Sequence, residues 1–337
     1  MFLRPLSKLT YGISYQSNAK FSVSRLLIEF RMPDSCVRSR TFHRSACMMV
    51  EQSRGGEKFK GEERRQRNVI LPVTPVSELK DRPFPKTAAC LVIGDEILNG
   101  KTVDINSGFF VKYCFNLGID VKGIEVIPDE EEIIIEAVRR LSSKHDFVVT
   151  SGGIGTTHDD ITYPSIARAY DLPLRYHQPT LDRMRSMTKG SQLMQYESHK
   201  RMALFPDRSL VIFPSETFWV PIVIVNENVH ILPGIPPLFR ALLSGYGRYL
   251  QGRERFVAKY VKTYRIEPQI APMLASVQKK VESLGIKIGS YPKWKGRMVV
   301  VSLLSKENKR EIMEELAREV AEKDNLRHLS LSRNRSF

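Results

Sequence analysis

The stretch best suited to chemistry in this chain is Ser151-Gly-Gly-Ile-Gly-Thr-Thr-His-Asp-Asp160. Gly152, Gly153 and Gly155 let backbone N–H groups converge on one spot. Ser151, Thr156 and Thr157 add hydroxyl donors, and a helix N-terminus follows. Together these make an anion cradle suited to phosphate. The run is not a Walker motif, since no Gly-Lys-Ser/Thr follows, nor a dinucleotide GxGxxG. Asp159 and Asp160 close the loop. Two adjacent carboxylates repel a phosphate unless a divalent cation sits between them. Mg2+, or another divalent metal such as Co2+, is the expected cofactor, because Mg2+ is usually shared between carboxylate and phosphate oxygens. Asp95, at the tip of an earlier apolar run, supplies the second protein oxygen. Asp95 and Asp160 are therefore the expected metal ligands, and Asp95, Asp159 and Asp160 the expected catalytic acids. Glycine turns after strands and Asp pairs at helix starts are also ordinary punctuation, so spacing alone leaves both readings open.

The elements that must position these residues alternate. Residues 88–93 (AACLVI) form a short buried strand ending in Gly94-Asp95-Glu96. Asn106-Ser107 can cap a helix with apolar positions Phe109, Phe110, Tyr113 and Leu117, stopped by Gly118. Residues 119–127 read as a second strand. Pro128-Asp-Glu-Glu-Glu132 then opens a second helix, with Pro and acids in its first turn. Residues 147–150 form a third strand running into the glycine loop, and a third helix follows it. Buried strands alternating with helices predict a mostly parallel sheet covered on both faces. Ligands of such sheets sit at the carboxyl ends of the strands. Further on, the pattern gives a small α+β module of order β-α-β-β-α over residues 253–323. Its Tyr291-Pro-Lys-Trp-Lys295 patch could stack a flavin or adenine ring.

Composition sets the wider frame. The 337 residues carry a net charge of +15. Residues 1–86 hold 17 Lys/Arg against 8 Asp/Glu, and residues 323–337 hold 4 against 1, which leaves the body at about +3. Basic charge in the tails, not clustered on a folded face, argues against a nucleic-acid partner. The longest apolar runs are strand length, so no membrane span is expected. Four cysteines without paired CxxC spacing predict neither a disulfide scaffold nor a zinc site. Residues 1–50 are Arg- and Ser-rich with only two acids, as in a mitochondrial transit peptide. Arg40-Thr-Phe42-His-Arg-Ser45 resembles a two-step cleavage site, with the mature start near Val50 and a mitochondrial location. The competing reading is a basic tail on a cytoplasmic protein. Residues 51–86 read as a disordered, then proline-punctuated linker before an α/β domain over 87–252, and residues 324–337 as a basic tail.

Three motifs, Gly94-Asp95-Glu96-Ile-Leu-x-Gly100, Asp104-x-Asn106-Ser107 and the loop from Ser151 to Asp160, resemble in order and spacing the molybdopterin-binding domain family of the MoaB/Mog proteins and the CinA amino-terminal half. Arg201-Met-Ala-x-x-Pro206, Trp219-x-Pro221, Asn226, Leu232-Pro-Gly-Ile-Pro236 and Gly289-Ser-Tyr-Pro292 are closer to the molybdopterin-binding-like half of eukaryotic FAD synthase. The resemblance covers about residues 87–322 and implies a three-layer α/β/α fold. It matches Gly152, Gly153 and Gly155 to the family's glycine loop, Asp160 to its loop-end aspartate of magnesium and phosphoanhydride chemistry, and Asp95 to its first-strand acid. Asp104 and Asn106 match a further binding motif, although both are equally good helix caps. His158 sits where the CinA-like branch has His, and Lys200 and Arg201 are placed to neutralise a diphosphate. Ile154 and the Thr-Thr-His-Asp ending depart from the MoaB/Mog loop. That departure points toward a metal-dependent nucleotide pyrophosphatase acting on FAD or ADP-ribose, FAD to FMN and AMP first among them. A non-catalytic pterin or nucleotide binder and a molybdopterin adenylyltransferase-like enzyme are the alternatives. The stretch after Pro292 is too short for an adenylyltransferase domain, so FAD synthesis by this chain alone is not expected. Relatives commonly self-associate, which leaves a homo-oligomer open.

Overall fold

The computed structural model describes residues 70–187, 196–250, 255–293 and 298–323. The expected transit segment, most of the expected linker, Trp294-Lys295 and the basic tail lie outside the described residues. In chain order the first elements are β1 (Thr87–Ile93), α1 (Asp95–Leu98), α2 (Asn106–Leu117), β2 (Asp120–Ile127), α3 (Glu131–Ser142), β3 (Phe147–Ser151) and α4 (Thr162–Ala169). Next come β4 (Leu174–Tyr176), α5 (Gln178–Met187), α6 (Glu197–Lys200), β5 (Leu204–Pro206), β6 (Leu210–Ile212), β7 (Ile222–Val225), β8 (Val229–Leu232) and α7 (Pro236–Tyr246). The last are β9 (Phe256–Thr263), α8 (Glu267–Val281), β10 (Lys287–Lys293), β11 (Met298–Lys306) and α9 (Arg310–Lys323).

The central sheet has the order β2-β1-β3-β8-β7-β6. Its first four strands are parallel, whereas β7 runs antiparallel to both β8 and β6. Side chains alternate along β1 as a pleat requires. Ala88, Cys90 and Val92 join Phe110 of α2 and Phe239, Leu242 and Tyr246 of α7 in one core. Ala89, Leu91 and Ile93 join Ile134, Val138 and Leu141 of α3 and Ile166 of α4 in the other. Two cores on opposite faces make three layers. This is the expected α/β/α arrangement with its mostly parallel sheet.

The carboxyl ends of the parallel strands finish level. Ile93 pairs with Ile127, Val92 with Ser151, and Ser151 with Leu232. The turns after β2, β1, β3 and β8 therefore emerge side by side along one edge.

Residues 255–323 form a three-stranded antiparallel sheet of order β10-β11-β9 backed by α8 and α9, in the expected β-α-β-β-α sequence. It has its own core of Val261, Ile270, Val277, Leu303 and Met313. It docks on the α/β layer through Phe256, whose ring stacks on Phe115 at 5.3 Å, and through Lys306, which donates to the Gly118 carbonyl.

Two boundaries differ from expectation. Residues 70–86 are not a free linker. The Leu71 N–H donates to the Glu216 carbonyl at 3.0 Å, the Thr74 N–H to Phe213 at 3.1 Å, and the Tyr249 hydroxyl to the Thr74 carbonyl at 2.6 Å. Leu79 is buried in the core. The backbone is extended at Pro75 and then makes one 3-10 turn over Val76–Leu79, and such a segment can still bond along a surface. The second helix begins at Glu131, not at Pro128. Glu131 and Glu132 do sit in its first turn, where they pair with Arg168, but Asp129 precedes the helix and is used elsewhere.

Candidate active site

The strands end at one level, and the sequence places a polar or glycine turn after each. Gly152 and Gly153 leave β3 with φ of 116° and 62°. A Cβ on Gly152 would lie 2.1 Å from the Ile93 carbonyl oxygen, so only glycine lets the turn after β3 pass this close to β1. The buried Thr162, at the start of α4, closes the turn from below. Its hydroxyl donates to the Gly152 carbonyl at 2.9 Å and its N–H to the Gly153 carbonyl at 2.9 Å.

Asp104 and Asn106 divide the roles that the sequence offered them jointly. Asp104 Oδ1 accepts from the N–H groups of Asn106 at 2.9 Å and Ser107 at 3.1 Å, so Asp104 caps α2. Asn106, the expected cap, is instead the first residue of α2 and is 5% exposed. Its Nδ2 donates to Ser151 Oγ at 2.9 Å and to the Gly234 carbonyl at 2.7 Å, which ties the turns after β3 and β8 together. Its Oδ1 is buried without a hydrogen-bond partner.

The end of the loop is organised by charge turned onto backbone. The Asp160 carboxylate accepts from the Thr157 N–H at 2.9 Å and the Thr157 hydroxyl at 2.6 Å, folding back over the Gly155–Thr157 turn. Arg201 donates to the Thr157 carbonyl and to the Asp160 carbonyl, both at 2.9 Å. It thus clasps the loop. Lys200 faces Glu197 on its own helical turn at 2.5 Å and not the loop. Thr156, Thr157, His158 and Asp159 are exposed along the rim.

Sequence reading did not single out Asp129. It follows β2, next to β1 in the sheet, and its Oδ2 accepts from the Asp95 N–H at 3.0 Å. A Cβ on Gly153 would come within 3.3 Å of Asp129 Oδ1, so this carboxyl touches the glycine turn itself. Burial raises its pKa. The Asp95 N–H opposes that shift, and the charges of Glu96, Asp95 and Asp159 add to it. The signal was present as an acid two residues past a strand. It was masked because the same acid also fits the first turn of a helix.

Asp95, Asp129 and Asp159 thus form a mutually repelling acidic set beside a turn whose glycines leave room for an anion. Among the described residues, no three His, Cys, Asp or Glu side chains are already gathered into a metal cage. The set still fits Mg2+, which is usually held by one or two carboxylates and completed by water and substrate phosphate.

Known proteins resemble this chain in sequence over both of its parts. The family model "Probable molybdopterin binding domain" matches residues 89–251, and "FAD synthase, middle domain" matches residues 255–326. A protein of Archaeoglobus fulgidus is 32% identical over 205 residues, covering 60% of this chain and 83% of its own length. The chain belongs to the molybdopterin-binding domain family. A "Probable FAD synthase" of Caenorhabditis briggsae is 32% identical over 252 residues, covering 68% of this chain and 48% of the relative. The chain therefore spans about half the length of that FAD synthase. The crystal structure of a CinA protein of unknown function from Thermoplasma acidophilum matches at 30% identity and a TM-score of 0.45, over 49% of this chain and 98% of that one. In this member of the molybdopterin-binding family, the glycine turn, Asp129 and Asn106 all lie inside the first matched region. The module that carries Phe256 and Lys306 is the second.

Proposed function

We propose that this chain is a divalent-cation-dependent nucleotide pyrophosphatase that hydrolyses a dinucleotide diphosphate, with FAD to FMN and AMP the leading reaction. One observation carries the reading. The glycine turn at Gly152-Gly153 lies directly against Asp129, with Asp95 beside it, so an anion cradle and an acidic set share one edge. Neither is of much use to a neutral ligand. Together they suit a diphosphate with a cation. Asp95, with Asp160 or Asp159 from the loop, would hold Mg2+ or Co2+. When bound, the cation offsets diphosphate charge and makes the attacking water more acidic.

The remaining work belongs to this chain's own groups. The turn from Ser151 to Gly155, with the Thr156 hydroxyl, presents donors to phosphate oxygens, and these donors also face the charge that grows in the transition state. Asp129 has a carboxyl whose proton affinity is raised, which suits it to take the proton of the attacking water. The buried Asn106 Oδ1 leaves an acceptor that a substrate hydroxyl or N–H would satisfy. The FAD synthase name of the Caenorhabditis relatives and the second matched region support FAD over other diphosphates.

The test is to incubate the purified chain with FAD and either Mg2+ or Co2+ and to look for FMN and AMP by chromatography. Both products in equal amount are expected, abolished by a chelator and by Asp129→Asn. The absence of products from FAD, ADP-ribose and related dinucleotides would overturn the reading. In that case ligand retention by Asp160→Asn would identify a non-catalytic pterin or nucleotide binder.

A further inference from the structure

The diphosphate edge leaves open what holds the rings at the ends of such a substrate. Arg201, which clasps the glycine loop, leads back along the chain to a lobe rich in aromatic side chains. His199 lies two residues before Arg201, and its ring is 6.2 Å from that of Trp219. Trp219 is half-buried, with its inner side fixed against Leu181, Met184 and Ala203. Tyr196, at the start of the same helical turn, is 57% exposed. His199 Nε2 is buried and has no hydrogen-bond partner in the protein. A large aromatic that is anchored on one side, an exposed tyrosine and an unpaired ring nitrogen are the usual components for holding a planar heterocycle. The aromatics stack on its face, and the nitrogen meets its polar edge.

We propose that Trp219, Tyr196 and His199 form the ring-binding half of the site, on which a heteroaromatic ring of the dinucleotide stacks while the glycine turn holds its diphosphate. The inference rests on the dinucleotide reading above. It concerns a surface that the phosphate chemistry does not use. It also moves ring recognition away from the patch around Trp294 that the sequence suggested.

Tryptophan fluorescence separates these sites, because Trp219 and Trp294 are the chain's two tryptophans. The full chain carrying Trp294→Phe is titrated with FMN, with AMP and with inorganic pyrophosphate, in chelator so that no turnover occurs. Saturable quenching by FMN or by AMP, but not by pyrophosphate, is expected, and the ligand that quenches names the ring. The exposed Tyr196→Ala change should weaken that ligand by about 10-fold. In the active enzyme, Trp219→Leu should raise KM for FAD by a similar factor and leave kcat largely unchanged. Quenching that disappears in Trp294→Phe, no quenching by either nucleotide, or a Tyr196→Ala affinity equal to wild type overturns the proposal. Ring binding without any hydrolysis would sink the pyrophosphatase reading and leave this one standing. Full hydrolysis with unchanged KM in Trp219→Leu would do the reverse.

Discussion

Asp160 and Arg201 both carry charges that the sequence assigned to ligand, and in the structure both also bond within their own loop. Arg201 spans two carbonyls 2.9 Å from its guanidinium nitrogens, a fork that a lysine ammonium cannot reproduce. Arg201→Lys keeps the charge and loses at least one charge-assisted hydrogen bond, worth about 1.5–3 kcal/mol. If the loop must be held to bind diphosphate, steady-state kinetics on FAD should show kcat/KM falling by roughly 10- to 100-fold. Activity close to wild type would instead mean that only the positive charge matters. The glycine loop itself was legible at this scale, because no other residue type fits its bonds and φ angles. Asp129 was not legible, because what makes it a site residue is a neighbour 34 positions away in sequence, Asp95.

At the scale of elements, strand and helix order was readable from apolar runs and turn residues, whereas helix starts were not. Asn106-Ser107 and Pro128–Glu132 both carry good helix-start chemistry. In each case tertiary bonds decided which residue caps, which enters the helix and which turns away to the site. Asp104 caps α2 by accepting from two N–H groups. Asp104→Ala should therefore cost about 1 kcal/mol, seen as a lower urea midpoint with unchanged slope. It should also loosen Asn106, and with it the join between the turns after β3 and β8, so a loss of activity larger than the loss of stability is expected. Equal stability in the variant would show that α2 does not depend on this cap.

For the whole molecule, stability is tied to pH through a buried imidazole in the sheet. In β8, His230 Nδ1–H donates to the Asn228 carbonyl at 3.0 Å, and the Tyr246 hydroxyl donates to Nε2 at 2.9 Å. The neutral ring is therefore satisfied, and burial holds its pKa down to about 3. The unfolded chain takes up this proton near pH 6.5, whereas the folded one resists it. The stabilisation is complete above about pH 6.5 and drains away as pH falls toward about 3, at up to roughly 1.4 kcal/mol per pH unit. Burial shifts His177 and His199 in the same direction. Urea unfolding at pH 7.5 and pH 5 should show a drop of about 2 kcal/mol, partly removed in His230→Gln. A flat profile would mean that the ring takes up its proton equally in the folded and unfolded chain. The segment 70–86 also belongs to this scale, since nothing in its proline-punctuated sequence reveals the body to which it bonds.

The sequence alone determined the alternation of elements, the two-sided burial of β1 and the glycine turn, because each follows from local periodicity or from steric limits within a few residues. It also contained the family motifs, which depend on order and spacing along one chain. Only the tertiary structure decided that Asp129 belongs with Gly153, that Asn106 links Ser151 to Gly234, and that Trp219 lies beside His199. Those pairs are set by which strands become neighbours in the sheet and by how the chain returns across it. The free energy that chooses them is the burial of two cores at once, a property of the assembled layers and of no single segment.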